Sequence, residues 1–281
     1  MTGALAGAAT GASLDSTFDE LRGLSAYING RVDAAPDPLS TLAPGKLSGE
    51  GRRRLDLALE LVRSHYESAD RPATAMLFHA GYAFYGLMPA VGAYLVARRV
   101  SCLDPAHTAV SWGGGDDPGL AHVCGAFTAL PDDPAAGDVG VSVVDGEAEL
   151  RDRLHDELVR WSEPLVDALR ERGPLGRRAL QLGVADVVAG GLHWIGELTG
   201  DVERGEREGR AVISREGSLL RSTRARFEEH SAGSIVRRLY MRASCCLSYR
   251  LADGEYCMTC PLVDEGERAT KVSAWLITLD A

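Results

Sequence analysis

The sequence predicts an α+β fold: a mainly helical body, a small antiparallel sheet and a cysteine-rich loop near the C-terminus. Three observations predict it. Apolar residues recur at threes and fours in long runs on both sides of residues 100–145. Within 100–145, short apolar runs alternate with Gly, Asp and Pro turns. Four of the six cysteines then fall between Cys245 and Cys260.

With 281 residues, 45% hydrophobic and 25% charged, the chain has a globular composition. That excludes disorder, collagen and coiled coil as global descriptions. Its net charge of -10 makes it a poor general nucleic-acid binder, because it repels phosphates. No nucleic-acid partner is expected. The N-terminal MTGALAGAATGASLD carries no basic residue before Arg22, so it reads as a frayed tail rather than an export signal. The expected compartment is the reducing cytoplasm.

Taken in order, residues 1–50 read as an N-terminal tail and linker. They hold one helical segment over Asp15–Ile28, with Ser16 at its cap and Asn29-Gly30 as its stop. Ala34–Gly51 reads as a loop. Residues 51–230 form the body. Arg53–Ser68, with Leu55, Leu57, Leu59, Leu61 and Val62 set among charges, is expected to be helical. Residues 72–97 carry no formal charge and are long enough to span a bilayer. Gly81, Gly86, Pro89, Gly92, His79, Tyr82 and Tyr85 interrupt that run, so a buried core helix is expected and no membrane span. Residues 100–145 supply the sheet strands, and GGGDDPG at 113–119 reads as a plain turn. It lacks the lysine of a phosphate loop, and its two aspartates repel phosphate.

Helical pattern returns over Glu147–Glu171, with Leu150, Leu154, Leu158, Trp161, Leu165 and Leu169 on one face. Gly173-Pro174 breaks it. A more apolar helix is expected over Arg177–Leu198, and a short Arg-rich one over Ser218–Glu229. Cys102, Cys124, His79 and His193 read as core residues, with His193-Trp194 a lesser candidate for a substrate pocket.

Residues 231–281 form the C-terminal segment. Cys245-Cys246, ten residues, then Cys257-Met-Thr-Cys260 give the spacing CC-x10-C-x2-C. Four thiolates are the usual complement of an iron–sulfur cluster or a closed zinc site. Adjacent cysteines point apart on a strand and by about 100° on a helix, which suits a single tetrahedral ion poorly. A two-iron cluster relaxes that constraint. Zinc and a C-x-x-C thiol–disulfide pair remain the alternatives. Arg237, Arg238, Arg242 and Arg250 lie around the motif, and residues 231–250 contain no acid. Their positive charge would favour a reduced, more negative cluster.

The segment R-x-S-C-C-L-x-Y-R-L followed by C-x-x-C-P-L, residues 242–262, resembles the FhuF-type ferric siderophore reductases. The resemblance implies a [2Fe–2S] cofactor held by Cys245, Cys246, Cys257 and Cys260; from the charge of the flanks, Arg242 and Arg250 are the candidates to lie beside it. It implies one-electron reduction of a ferric siderophore, often of hydroxamate type, to release Fe(II). No nucleotide-binding fingerprint is visible, so a separate electron-donor protein is expected. A non-catalytic siderophore-binding protein and a structural zinc-binding protein are the other readings.

Overall fold

The structure is a computed structural model. It describes residues 8–33, 40–68, 70–112 and 119–279. The expected turn at 113–119 therefore lies outside the described residues, apart from Gly119.

The fold is α+β and mainly helical. At its centre lies α3 (Arg71–Ala97), capped by the Asp70 carboxylate accepting from the Ala73 amide at 2.8 Å. It ends at Arg98, which adopts the left-handed conformation. By length and composition α3 could cross a membrane, yet 67% of its most apolar window is buried within the protein. Around it pack α1 (Ala8–Leu24), α2 (Glu50–His65), α4 (Glu147–Arg172) and α5 (Arg177–Thr199). Gly86 of α3 lets Trp161 of α4 approach. A Cβ there would lie 2.3 Å from the indole ring. Trp161 in turn stacks on Tyr82 with centroids 5.2 Å apart, and Tyr82 donates to the Leu42 carbonyl at 2.6 Å.

The strands occur largely where the alternating pattern placed them, in two small mixed sheets. One has the order β1 (Gly30–Val32), β5 (Leu120–Val123), β4 (Ala109–Ser111), β2 (Thr41–Leu42). The other has the order β3 (Val100–Ser101), β6 (Phe127–Ala129), β7 (Val141–Val143). The pairs β1–β5 and β6–β7 are parallel and the others antiparallel.

Residues within 1–50 take part in this body. Leu14, Phe18, Leu21, Ile28 and Leu42 are buried, β1 and β2 pair in the first sheet, and a 3-10 turn covers Pro44–Lys46. The first helix begins at Ala8, before the expected Ser16 cap, and ends at Leu24.

Two further elements carry the C-terminal segment. α6 (Val202–Ser214) lies against α5 at Gly205, where a Cβ would sit 2.3 Å from the Leu192 carbonyl oxygen. The helix expected over Ser218–Glu229 does not form. Instead β8 (Arg226–Ala232) and β9 (Ile235–Met241) make an antiparallel hairpin across Gly233-Ser234. Gly233 has φ 59°, the positive value that a tight hairpin loop requires. Phe227 and Tyr240 face each other in register, and their rings pack on α5 and α6. The last helix, α7 (Glu265–Leu279), packs on this hairpin. Asp264 caps it, accepting from the Glu267 amide at 2.9 Å.

Candidate metal centre

Strand β9 delivers the chain into the cysteine motif at Arg242. One buried carboxylate fixes the approach. Asp186 of α5 accepts from the Tyr240 hydroxyl at 2.8 Å, the Ala243 amide at 2.7 Å, and the Ser244 amide and hydroxyl at 2.8 and 2.5 Å. Backbone donors aimed at a carboxylate are strong, charge-assisted bonds. They set the peptide immediately before Cys245. Asp186 was not read from the sequence. Its signal is a lone acid in the apolar run LGVADVVAGG of a buried helix.

Beyond Ser244 the four thiols meet. The Cys245 and Cys260 sulfurs are 3.9 Å apart. Cys246 Sγ lies 3.2 Å from the Ser248 hydroxyl, and Cys257 Sγ lies 3.9 Å from the Thr259 hydroxyl. Adjacent cysteines therefore have different nearest partners. Leu247 takes a left-handed conformation, φ 61°, and its amide donates to the Cys245 sulfur at 3.4 Å. A 3-10 turn over Ser248–Arg250 follows, and the Gly254 backbone folds tightly onto the Ser248 carbonyl. The Cys260 amide bonds back to the Cys257 carbonyl at 3.0 Å, and the Arg242 amide to the Thr259 carbonyl at 3.3 Å. Cys260 is buried, and the other three are half-buried.

The electrostatics of the four thiols are unequal. The Cys246 thiol is pulled down to about 4, first by the neighbouring Cys257 thiol, then by Ser248 and the Arg242 guanidinium. Burial pushes Cys245 up to about 11. Cys257 is also pushed up, as the partner that keeps its proton when Cys246 is ionised.

The arginines are less free than their sequence neighbourhood suggests. Arg242 faces Cys246 and Cys257, and its nearest acid is Asp186 at 3.8 Å. Arg250 pairs with Asp70 at the cap of α3, at 2.5 Å. Arg238 pairs with Glu206 of α6 at 2.8 Å. Arg237 is exposed on β9 and donates to the Val236 carbonyl. The expectation of arginines without compensating acids is thus corrected. The acids come from distant helices, which a local sequence window does not contain.

A further cation was missed. Arg268 of α7 is buried and donates to the Cys260 and Val263 carbonyls at 3.3 and 2.8 Å. Its Nε has no hydrogen-bond partner, and no carboxylate among the described residues pairs with it. A buried guanidinium without an anion is costly. An anionic group held by the thiols would supply that missing charge, so the donor set fits a thiolate-bound cluster. Among the described residues, no three His, Cys, Asp or Glu side chains converge as one metal ion needs.

The other singled-out residues lie elsewhere. His193 is buried and bonds through Nε2 to the Arg238 carbonyl at 2.9 Å, tying α5 to β9. Trp194 packs near Phe84. His79 is buried with no partner on Nδ1, and burial lowers it to about 4. Cys102 and Cys124 are half-buried and in contact with each other, where two isolated, buried thiols were expected. A surface cavity of about 420 Å³, lined by residues that include His155, Arg160 and Arg215, lies outside the cysteine segment.

Fold and site together define an α+β protein with a C-terminal four-cysteine segment for a thiolate-bound cofactor. Residues 242–262 match the family model described as FhuF 2Fe-2S C-terminal domain. The cofactor of this segment is a [2Fe–2S] cluster. No curated protein matches the chain.

Proposed function

We propose that this protein is a cytoplasmic ferric siderophore reductase. Cys245, Cys246, Cys257 and Cys260 would be the ligands that hold its [2Fe–2S] cluster. The observation that carries the reading is the gathering of four thiols, Cys245 and Cys260 with sulfurs 3.9 Å apart and Cys246 and Cys257 facing Arg242, inside the segment that matches the FhuF 2Fe-2S domain.

When bound, the cluster supplies a one-electron couple. The chain's own residues do the rest. Asp186 fixes the peptide ahead of Cys245. Arg242 and Arg268 oppose the cluster's negative charge. Tyr249 and Tyr256 stack at 4.5 Å beside the cysteines, and Tyr256 and Leu262 are exposed there. That surface is where a ferric complex or a donor protein approaches. Residues 231–281 act as the cluster segment, and residues 51–230 as the side that receives the siderophore. The hydroxamate class follows from the resemblance. Hard hydroxamate oxygens hold Fe(III) tightly, and the lower charge of Fe(II) lets it leave with the chelator intact. The electron comes from a separate donor protein.

The test is a single turnover. Protein purified without oxygen and reduced at its cluster is mixed with a ferric hydroxamate and a ferrous-specific chelator. The reading expects reoxidation of the cluster matched by an equal amount of captured Fe(II). Binding of the complex without reoxidation would make the chain a non-catalytic siderophore binder. Zinc in place of iron would make the segment a structural zinc module.

A further inference from the structure

Far from Cys245 in sequence, two other thiols meet. Cys102 directly follows β3, and Cys124 directly follows β5. The Cys102 amide donates to the Ala126 carbonyl at 3.0 Å, so the ladder of β3 with β6 continues one step past its last pair. This brings Cys124 diagonally beside Cys102. The Cys124 thiol donates to the Cys102 carbonyl at 3.4 Å, which sets the two cysteines side by side. Both side chains are half-buried, so a small reagent can reach them. The Arg160 guanidinium lies 3.6 Å from the Cys102 sulfur.

We propose that Cys102 and Cys124 form a second redox site, a dithiol that exchanges with low-molecular-weight disulfides and closes to an intramolecular disulfide. This goes beyond the reductase reading and does not depend on it.

The charge around the pair supports Cys102 as the attacking sulfur. Its thiol is lowered to about 6, first by the neighbouring Cys124 thiol, with the Asp104 amide and Arg160 adding to it. Burial and the Glu157 carboxylate oppose this. Glu157 is itself held by Arg153, by Arg160 and by the Leu103 amide. Cys124 is pushed up and keeps its proton, as the resolving partner should.

The steps balance. The Cys102 thiolate attacks one sulfur of a disulfide RS–SR, forming Cys102–S–S–R and releasing RS⁻, which takes up a proton. Cys124 then gives up its proton and attacks the Cys102 sulfur, expelling the second RS⁻. Two protein thiols are oxidised and one small disulfide becomes two thiols. The product joins the chain just after β3 to the chain just after β5, and so links the two sheets. In a reducing compartment such a bond is transient and forms when the thiol pool is oxidised.

The experiment treats native, cluster-loaded protein with oxidised glutathione, alkylates the remaining thiols, and maps the peptides without reduction. The expected result is a peptide containing Cys102 linked to one containing Cys124, with the cluster's visible absorption unchanged. Cys124→Ser should stop at a glutathione adduct on Cys102, and Cys102→Ser should show neither product. In the untreated wild type near neutral pH, alkylation should label Cys102 at least about tenfold faster than Cys124, as the thiolate fraction dictates. Equal, slow alkylation of both, or a map with Cys102 and Cys124 unlinked and unmodified, would overturn the proposal.

Discussion

In the body, Trp161, Leu87, Met88, Leu150 and Leu192 are buried in one continuous apolar core. Around the cysteine motif, buried apolar residues such as Val263, Val272 and Leu276 are joined by a cluster of polar contacts. Four donors converge on Asp186, Arg250 reaches Asp70, and Arg268 is fixed through two carbonyls. The body is thus stable through area removed from water. The cysteine segment is held by a few directional bonds and by a buried cation that needs an anion. The difference predicts that cofactor and segment stabilise each other and that the body stands without the cofactor.

The largest expected effects separate the two regions. Trp161→Ala should lower global stability by about 3–5 kcal/mol. In thermal melts it should pull down the body transition, while protein that remains folded keeps its iron. Asp186→Ala orphans four donors, and breaking a buried charged contact costs about 3–5 kcal/mol locally. It should strip the cluster and leave the body's melt close to wild type. If both variants lose stability and iron together, the two regions form one cooperative unit and the comparison fails.

The next effect belongs to the body. His79 is lowered from 6.5 to about 4 by burial, so the folded state disfavours its protonated form. The unfolded chain binds that proton below 6.5. Stability from this site is therefore complete above 6.5 and is lost as pH falls towards about 4, a loss of about 3 kcal/mol at ~1.36 kcal/mol per pH unit. Urea melts of wild type at neutral pH and near pH ~4.5 should show this slope, and His79→Gln should flatten it. An unchanged slope in the variant would assign the acid sensitivity elsewhere.

The smallest effect is electrostatic and lies within the segment. Reduction adds one negative charge, so removing a nearby cation should lower the potential. Arg242→Gln should lower it by tens of millivolts, on the scale where about 59 mV is tenfold for one electron. Arg250→Gln should shift it less, because Asp70 already neutralises that guanidinium. Dye-mediated titration of both variants gives the ranking. A larger shift for Arg250→Gln would mean that the ion pair with Asp70 does not hold in solution.

What was legible in the sequence follows the same division. The helices α3, α4 and α5 were read nearly to their ends, because a long apolar periodicity needs no distant partner to be seen. The hairpin β8–β9 was not. Arg226, Glu228 and Glu229 look like a solvated helix, and the Gly233-Ser234 loop signal was passed over. α6 was missed because Gly205 and Gly209 count against a helix locally, although they allow close packing on α5. In the site, the four cysteines stood out by spacing. The groups that hold and compensate them did not, since Asp70, Asp186 and Glu206 come from three other helices and Arg268 from beyond the motif.

The most direct test of the account is iron and acid-labile sulfide per chain, measured on anaerobically purified wild type and on six single Cys→Ser variants. Wild type should carry about two of each, with visible absorption. Cys245→Ser, Cys246→Ser, Cys257→Ser and Cys260→Ser should each lose or badly weaken the cluster, while Cys102→Ser and Cys124→Ser retain it. Full iron and sulfide in any of the first four variants would contradict the four-thiol centre.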